Sequence, residues 1–380
     1  MTADDNAAAH RQRSDPAFIP GLELSSAFYT EIVAPILAEA YPNLCYAAAL
    51  IGYGSEVLGY DTARSTDHEW GPRMLLLVSD DDYAQHAEAI EALLGQRLPP
   101  TFRGFSTHFA PPSPDGVQHP APATSGRIAH KIPVYPLRGL LTDWLGADPF
   151  GALSAVDWLL MPQQKLLEVT TGRVFHDGLG ELEPVRARLA YYPPDVWRYL
   201  LAAQWTRISQ QEAFVGRAGE VGDDVGSALI AAALVRDLMG LCFLLERRYA
   251  PYSKWFGTAF AELGCAPRLM PHFQEVLRAA SWQERDAALA AAFELIAGLH
   301  NELGITEPVD PHVRFYHGGR PFQVIHGERF AEATVATIKN PEVQAIVQRA
   351  ELVGSADKVS DNVDVVSNSE RVAKLRALYG

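Results

Sequence analysis

Two short apolar runs near the N-terminus, residues 44–52 and 73–78, constrain the fold more than any other feature of this sequence. Each run is only six to nine residues long and is bounded by glycine, serine or aspartate, which is typical of a buried β-strand. The polar segment between them begins at the glycines that end the first run. We therefore expect two buried strands joined by a long turn that starts at glycine.

The segments around these runs predict the rest of the N-terminal part. Apolar residues recur at helical spacing over residues 22–40, with Pro35 as a possible kink, and residues 82–97 predict a second helix. Residues 110–126 are rich in proline, serine and glycine and predict a surface loop, whereas residues 128–135 alternate like a strand. A mixed sheet with flanking helices follows from this pattern.

From about residue 137 onward the period changes to that of amphipathic helices. The fold class is therefore α+β, with a sheet domain followed by an all-helical domain. The expected boundaries are a disordered lead-in over residues 1–20, a sheet domain over 21–136, a helical domain over 137–330, and a helix with a polar tail over 331–380.

The charge balance limits the classes of partner. The chain has 380 residues with 32 Lys and Arg against 46 Asp and Glu, which gives a formal net charge of −14. Proteins that bind nucleic acids nonspecifically, or anionic membranes, usually carry basic patches instead. With 48% hydrophobic and 21% charged residues, the composition is that of a globular chain.

Cysteine usage and hydropathy indicate where the protein works. The three cysteines, Cys45, Cys242 and Cys265, are far apart in the sequence and lack CxxC spacing, so they predict neither a disulfide framework nor a zinc ribbon. The N-terminus has no apolar signal segment, and the longest apolar stretches fall short of the roughly 20 residues that span a bilayer. We expect a cytoplasmic protein without a membrane partner.

The candidate site lies between the two apolar runs. Gly54-Ser55 follows the first run, and eleven residues later Asp67-His68-Glu69 leads into the second. On a strand, Asp67 and Glu69 would share one face and His68 the other, which makes the two carboxylates a site for a hard cation such as Mg²⁺. Gly54 would let the backbone approach a phosphate, and Ser55 offers a hydroxyl and an N–H.

This pattern resembles the polymerase-β-like nucleotidyltransferase superfamily. Three longer segments, residues 54–73, 175–201 and 249–260, are similar to a group called DUF4037, nucleotidyltransferase-like proteins with a helical C-terminal region, and the resemblance extends over nearly the whole chain. It implies a nucleotidyltransferase-like sheet domain more securely than it implies a function.

The resemblance also implies roles for the matching residues. Gly54 and Ser55 would hold the β- and γ-phosphates of ATP or another nucleoside triphosphate, while Asp67 and Glu69 would act as catalytic residues that ligate two Mg²⁺ ions. The implied reaction transfers NMP to a hydroxyl of a small molecule or a protein, with pyrophosphate leaving.

One departure from the superfamily pattern concerns a third carboxylate, which active members take from a following strand. Residues 101–135 contain a single acid, Asp115, in the proline-rich loop, and Pro133 stands where the acid is expected. His130 or His108 could replace it as a base but not as a charge. Either the third acid comes from elsewhere, or catalysis is weak, or the domain only binds nucleotide.

The helical domain adds cations and aromatic rings. Lys254 stands between Tyr252 and Trp255, which suits a triphosphate and a base, although a lysine stem packed on aromatic rings is an equally simple interpretation. Arg73 and Arg217 are weaker candidates for binding phosphate.

Three acids of the helical domain, Glu220, Asp223 and Asp224, fit either a cationic acceptor or the first turn of a helix. The leading hypothesis is a Mg²⁺-dependent nucleotidyltransferase. The alternatives are a degenerate nucleotide-binding protein and a scaffold whose helical domain binds partners. For the site, we expect neutral variants of Asp67 and Glu69 to leave the melting temperature unchanged or raised, because two close carboxylates repel.

Overall fold

The computed structural model describes residues 16–123, 126–317 and 320–380, and the chain divides into two compact units. The first unit takes in the described residues up to Leu141 together with Glu168–Arg188. The second comprises Thr142–Leu167 and Leu189–Gly380. Most of the predicted lead-in, residues 1–15, lies outside the described residues.

Eight strands form three small sheets in the described part of the chain, and the largest has the order β5-β2-β1-β6. The strands are β1 Ala47–Leu50, β2 Leu75–Val78, β3 Thr101–Phe102, β4 Phe105–Ser106, β5 Val134–Pro136, β6 Arg173–Asp177, β7 Arg314–Tyr316 and β8 Arg320–Val324. The pairs β3-β4 and β7-β8 are two-stranded ribbons.

Helices make up most of the remaining secondary structure. They are α1 Gly21–Phe28, α2 Ala34–Ala40, α3 Asp80–Arg97, α4 Leu137–Leu145, α5 Ala155–Leu160, α6 Gln163–Thr170, α7 Leu182–Arg188, α8 Pro194–Ser209, α9 Phe214–Glu220, α10 Asp224–Leu245, α11 Ser253–Ala261, α12 Ala266–Arg278, α13 Trp282–Glu302, α14 Gly327–Val335, α15 Pro341–Ala350, α16 Ala356–Val359, α17 Val363–Val366 and α18 Ser369–Ala373. The α+β class is confirmed.

The main sheet has the two predicted strands at its centre. β1 and β2 pair antiparallel with Ala48 opposite Leu76, and every residue of both strands is buried. The α3 helix follows β2 directly, and Ser79 caps it by accepting the N–H of Asp82. β5 then runs parallel to β2, so β2, α3 and β5 form a crossover unit that covers one face of the sheet.

The first helical segment changes to a wider, π-helical turn just before Pro35, where the sequence predicts a kink. A π-helical turn, Tyr29–Val33, separates α1 from α2, and the N–H of Ala34 reaches back to the carbonyl of Tyr29. Pro35 follows at once, at the start of α2. Because proline has no N–H and its ring clashes with the carbonyl four residues earlier, the wider turn accommodates it without breaking the helix.

Several strands differ from the sequence-based expectations. β6 lies in a segment that was assigned to the helical domain, yet it pairs with β1 and belongs to the first unit. The second unit contains the β7-β8 ribbon, so it is not purely helical. The regular strand expected over residues 128–135 is confined to β5, because Pro133 donates no hydrogen bond to β2.

The core of the second unit is built from large aromatic side chains on α8. Trp197, Tyr199 and Trp205 are almost completely buried. The indole N–H of Trp197 donates to the carbonyl of Leu244, and Trp205 stacks on Phe330 with ring centroids 4.4 Å apart. The predicted polar tail is not a single helix and coil, since α15 to α18 continue the helical pattern.

Helix α10 is more apolar than the sequence inspection suggested. It is 22 residues long with a mean hydropathy of 2.1 in its most apolar window, which satisfies the length and composition of a membrane span. Of that window, 61% is buried inside the protein, as in the core helix of a soluble protein, and one such helix in the described residues is weak evidence for a membrane.

Two helical glycines of the second unit provide a matched stability test. A Cβ on Gly219, in α9, would overlap the side chain of Trp282, whereas Gly298, inside α13, has nothing within 4 Å. We expect Gly219→Ala to lower the free energy of unfolding by about 1–3 kcal/mol through overpacking. Gly298→Ala should raise it by about 0.5–1 kcal/mol because alanine favours a helix. Urea denaturation measures both; equal effects would contradict this packing.

Candidate nucleotide site

Antiparallel pairing brings the two halves of the candidate site to one edge of the sheet. Gly54 and Ser55 follow the end of β1, and Asp67 to Glu69 precede the start of β2. β5 begins at the same edge because it runs parallel to β2. The predicted residues of the first unit that flank β1 and β2 therefore lie at one edge of the sheet.

The Asp67-His68-Glu69 segment is not a strand, so the expected alternation of faces is wrong. Asp67 ends a 3₁₀ turn, Ala63–Asp67, His68 is extended, and Glu69 has the left-handed φ of 53°. Regular pairing of β2 starts only at Leu75, after Gly71 and Pro72. The two carboxylates consequently have separate surroundings.

The carboxylate of Glu69 is already occupied by protein groups. Its Oε2 forms an ion pair with Nζ of Lys131 and accepts the hydroxyl of Tyr53 at 3.3 Å, while Oε1 accepts the N–H of Gln118 at 2.7 Å. The Lys131 side chain is only 10% exposed, and its Nζ lies 5.4 Å from the centroid of the Phe109 ring. Burial lowers the pKa of Lys131 to about 8, and the charge of Glu56 opposes that shift.

Asp67 is much more open. Its side chain is 64% exposed, and Oδ1 lies 2.8 Å from Nδ1 of His68, which was expected to face away. The ring of His119 comes from the proline-rich loop, and its Nδ1 lies 2.9 Å from the Asp67 carbonyl. Asp67 therefore faces solvent and two imidazoles.

The proline-rich loop crosses this segment, and we call residues 110–123 the strap. The N–H of Glu69 donates to the Gln118 carbonyl at 2.9 Å, in addition to the bond from Gln118 to the Glu69 carboxylate. The strap also pairs with residues just before it, since the N–H of Ala121 donates to the His108 carbonyl at 2.9 Å. It is thus held against the Asp67-His68-Glu69 segment by several hydrogen bonds.

Gly54 has a structural reason to be glycine. Its φ is 128°, and a Cβ there would overlap Arg73 and lie 2.6 Å from Oε2 of Glu56. Arg73 and Glu56 are 4% and 3% exposed, and they form an ion pair in which Nε and Nη2 of Arg73 lie 2.8 and 2.6 Å from the same oxygen, Oε1. The space beside Gly54 is therefore filled by the protein itself.

The predicted phosphate ligand Arg73 is a buried packing residue in this structure. Besides its pair with Glu56, it donates to the Tyr53 carbonyl at 2.5 Å, and its guanidinium lies 4.8 Å from the Tyr53 ring centroid. Ser55 is half-buried, and its carbonyl accepts the N–H of Tyr60. Of these two predicted phosphate contacts, Ser55 alone retains part of its surface.

Both histidines considered as a substitute base already use a ring nitrogen in a hydrogen bond with the backbone. Nε2 of His130 lies 3.0 Å from the Glu91 carbonyl, and its Nδ1 accepts the N–H of Ile132. Burial lowers the pKa of His130, which keeps the ring neutral. His108 accepts the N–H of Ala129, and Asp115 is exposed in the strap.

The residues at this edge do not fit a magnesium pair as they are arranged here. Glu69 is neutralised by Lys131, and the described residues contain no third carboxylate or imidazole that closes a ligand group around Asp67 and Glu69. The group that does have metal-ligand spacing is elsewhere, in the second unit, and consists of Glu212, His326 and Glu328.

The predicted contributions from the helical part all lie in the second unit. Lys254 is exposed at the start of α11, with Nζ 4.8 Å from the Trp255 ring centroid. Arg217 lies over Phe214, and Asp223 caps α10 by accepting the N–H of Gly226. The Asp223 contact agrees with the helix-terminus interpretation of the acidic segment.

Sequence reasoning missed Lys131, Gln118 and Glu56. Lys131 had a visible signal, because it lies two residues before Pro133, where a carboxylate was expected. Gln118 had none, since its role depends on a backbone N–H that the strap delivers to Glu69.

Part of the chain is similar to a known protein family. The family model DUF4037, described as a domain of unknown function, matches residues 158–256. No curated protein matches the chain. A solved structure, a nucleotidyltransferase-like protein from Exiguobacterium sibiricum, is similar at 11% identity over 78% of this chain and 82% of that chain, with a TM-score of 0.33. The predicted resemblance to DUF4037 is confirmed for residues 158–256.

Proposed function

We propose that the first unit binds a nucleoside triphosphate at the sheet edge beside Tyr53 and Ser55, and that it does so without transferring a nucleotide. The observation that carries this proposal is the ion pair between Lys131 and Glu69. A lysine ammonium supplies the positive charge that a metal ion would otherwise supply to Glu69, but it cannot bridge to a second carboxylate and a phosphate as Mg²⁺ does.

Exposed groups at this edge suit a triphosphate. Lys131 neutralises Glu69, so Asp67 is the one acid of the two without a lysine or arginine partner in the described residues. This edge therefore repels an anion less than two free carboxylates would. The ring of Tyr53 is 55% exposed and offers a face for a base. Ser55 and the imidazoles of His68 and His119 offer hydrogen-bond donors.

The proposal also covers the identity of the nucleotide, the location of the protein and its binding to nucleic acid. The nucleotide is ATP or another NTP, and the protein acts in the cytoplasm. With a formal net charge of −14, nonspecific binding to nucleic acid is not expected.

A second candidate is the Mg²⁺-dependent transfer of NMP from NTP to a hydroxyl of a small molecule or protein. It is favoured by the exposure of the two carboxylates, 64% for Asp67 and 25% for Glu69, at the edge where the superfamily pattern requires them. This reaction requires a state in which Glu69 has left Lys131.

Calorimetric titration separates these two candidates. For the wild-type chain we expect ATP, GTP, CTP or UTP to bind with an affinity that changes by less than about threefold on replacing Mg²⁺ with a chelator, because Lys131 already neutralises Glu69. Tightening by at least about tenfold with Mg²⁺, together with pyrophosphate release over a panel of hydroxyl acceptors, would favour transfer instead. Absence of binding to all four nucleotides excludes both.

Replacing Lys131 tests the charge substitution directly. We expect Lys131→Met to weaken metal-free nucleotide binding at least about tenfold, because Glu69 becomes an uncompensated negative charge at the edge. Mg²⁺ should then restore binding. Lys339→Met is the matched control, since Lys339 is exposed in the second unit. Unchanged metal-free binding in Lys131→Met contradicts the proposal.

The ion pair between Glu69 and Lys131 leads us to expect different effects of neutral substitutions at Glu69 and at Asp67. We expect Glu69→Gln to lower the free energy of unfolding by about 1–3 kcal/mol, because the mostly buried Lys131 ammonium loses its partner. Asp67→Asn should stay within about 0.5 kcal/mol, since that side chain is exposed. The double variant Glu69→Gln, Lys131→Met should recover part of the loss. Urea denaturation followed by tryptophan fluorescence measures the free energy of unfolding of all three variants. A Glu69→Gln variant as stable as the wild type would show that the ion pair between Glu69 and Lys131 does not stabilise the fold.

A further inference from the structure

A buried acid of the second unit faces the start of α14. Glu212 lies in the turn after α8 and is 4% exposed. Its Oε2 accepts the N–H of Ile325 at 2.8 Å and the N–H of His326 at 3.1 Å. These bonds hold the carboxylate against the segment that joins β8 to α14.

Two further metal-ligand side chains come from that segment. His326 precedes α14, and Glu328 lies in its first turn. Nδ1 of His326 is 3.0 Å from Oε1 of Glu328, with side-chain exposures of 29% and 48%. One donor atom from each of Glu212, His326 and Glu328 lies within 4.8 Å of the other two. The group therefore draws on two separate parts of the chain.

The two carboxylates of this group have no lysine or arginine partner in the described residues. The basic side chain within ion-pair distance of Glu328 is the imidazole of His326. Two carboxylates that converge on one imidazole are favoured when a cation binds between them.

A nearby acid shows what a purely structural carboxylate looks like here. Asp286 is 5% exposed and accepts the N–H of Gln323, two residues before the first backbone contact of Glu212. It has the same kind of backbone contact, but it belongs to no metal-ligand group in the described residues. Backbone contacts therefore account for a buried carboxylate such as Asp286, but they do not account for the convergence of His326 and Glu328 on Glu212.

We propose that Glu212, His326 and Glu328 bind one divalent transition-metal ion, with Zn²⁺ as the best match. An imidazole with two carboxylates is a donor set of zinc and its neighbours, whereas Mg²⁺ and Ca²⁺ take oxygen ligands. Three protein ligands leave a position for water. The bound ion would join the turn after α8 to the start of α14. The site lies within the second unit and is independent of the proposed nucleotide binding.

The test is a zinc titration of the full chain after treatment with a chelator. We expect wild-type protein to bind one Zn²⁺ in calorimetry and to gain melting temperature on binding. His326→Asn should weaken Zn²⁺ binding at least about tenfold. Asparagine suits this position because it also adopts the left-handed conformation of His326, whose φ is 57°.

Matched variants keep the test decisive. His312 pairs with Glu294 at 3.4 Å and is exposed, without a third ligand, so His312→Asn should bind Zn²⁺ like the wild type. Should Glu212→Gln fail to fold, the exposed Glu328→Gln takes its place and should lose the site. Zinc binding that survives in both His326→Asn and Glu328→Gln, or no zinc binding by the wild type, overturns the proposal.

Discussion

Transferring a charged side chain out of water costs several kcal/mol, so a fully buried ion pair persists only with good geometry on both sides. Arg73 and Glu56 form such a pair at the candidate edge, where Nε and Nη2 of Arg73 both contact Oε1 of Glu56. The rest of the edge is arranged around them. Gly54 leaves room for the pair, and Tyr53 supplies both a carbonyl and a ring to Arg73.

A second pair, Glu69 with Lys131, lies next to the first. Glu56 acts on the ammonium of Lys131 as well, so the two pairs share one electrostatic environment. The acidic and basic side chains of the two pairs neutralise one another within the protein. Gly54, which the sequence assigned to phosphate binding, is explained by its close packing against Arg73 and Glu56. The same residue types could bind a nucleotide and metal ions if their partners inside the protein were replaced by those ligands. The sequence pattern alone therefore could not distinguish internal ion pairs from a nucleotide-metal site.

The sequence predicted the centre of the sheet because β1 and β2 are continuous apolar runs and α3 follows a capping serine. It missed β6 because three of its five residues, Arg173, His176 and Asp177, are polar, and its partner β1 lies more than a hundred residues earlier. It placed Asp67 and Glu69 on a strand because hydrophobic residues follow closely, whereas Gly71 and Pro72 delay regular pairing until Leu75. Such errors arise from tertiary pairing and backbone geometry, which a local pattern does not record.

The candidate site was predictable as a position and not as a set of contacts. Its edge follows from the order of the apolar runs, but the partner of Glu69 depends on where the strap and the residues before β5 fall in space. Three buried acids of the second unit likewise differ in their partners. Asp237 is matched by Arg207, and Asp286 by the backbone N–H and the side-chain amide of Gln323. Glu212 is matched by two backbone N–H groups and lies beside an imidazole and a second carboxylate. In an acidic chain, the surroundings of each buried carboxylate, rather than the excess of acids, therefore decide whether it is structural or binds a cation.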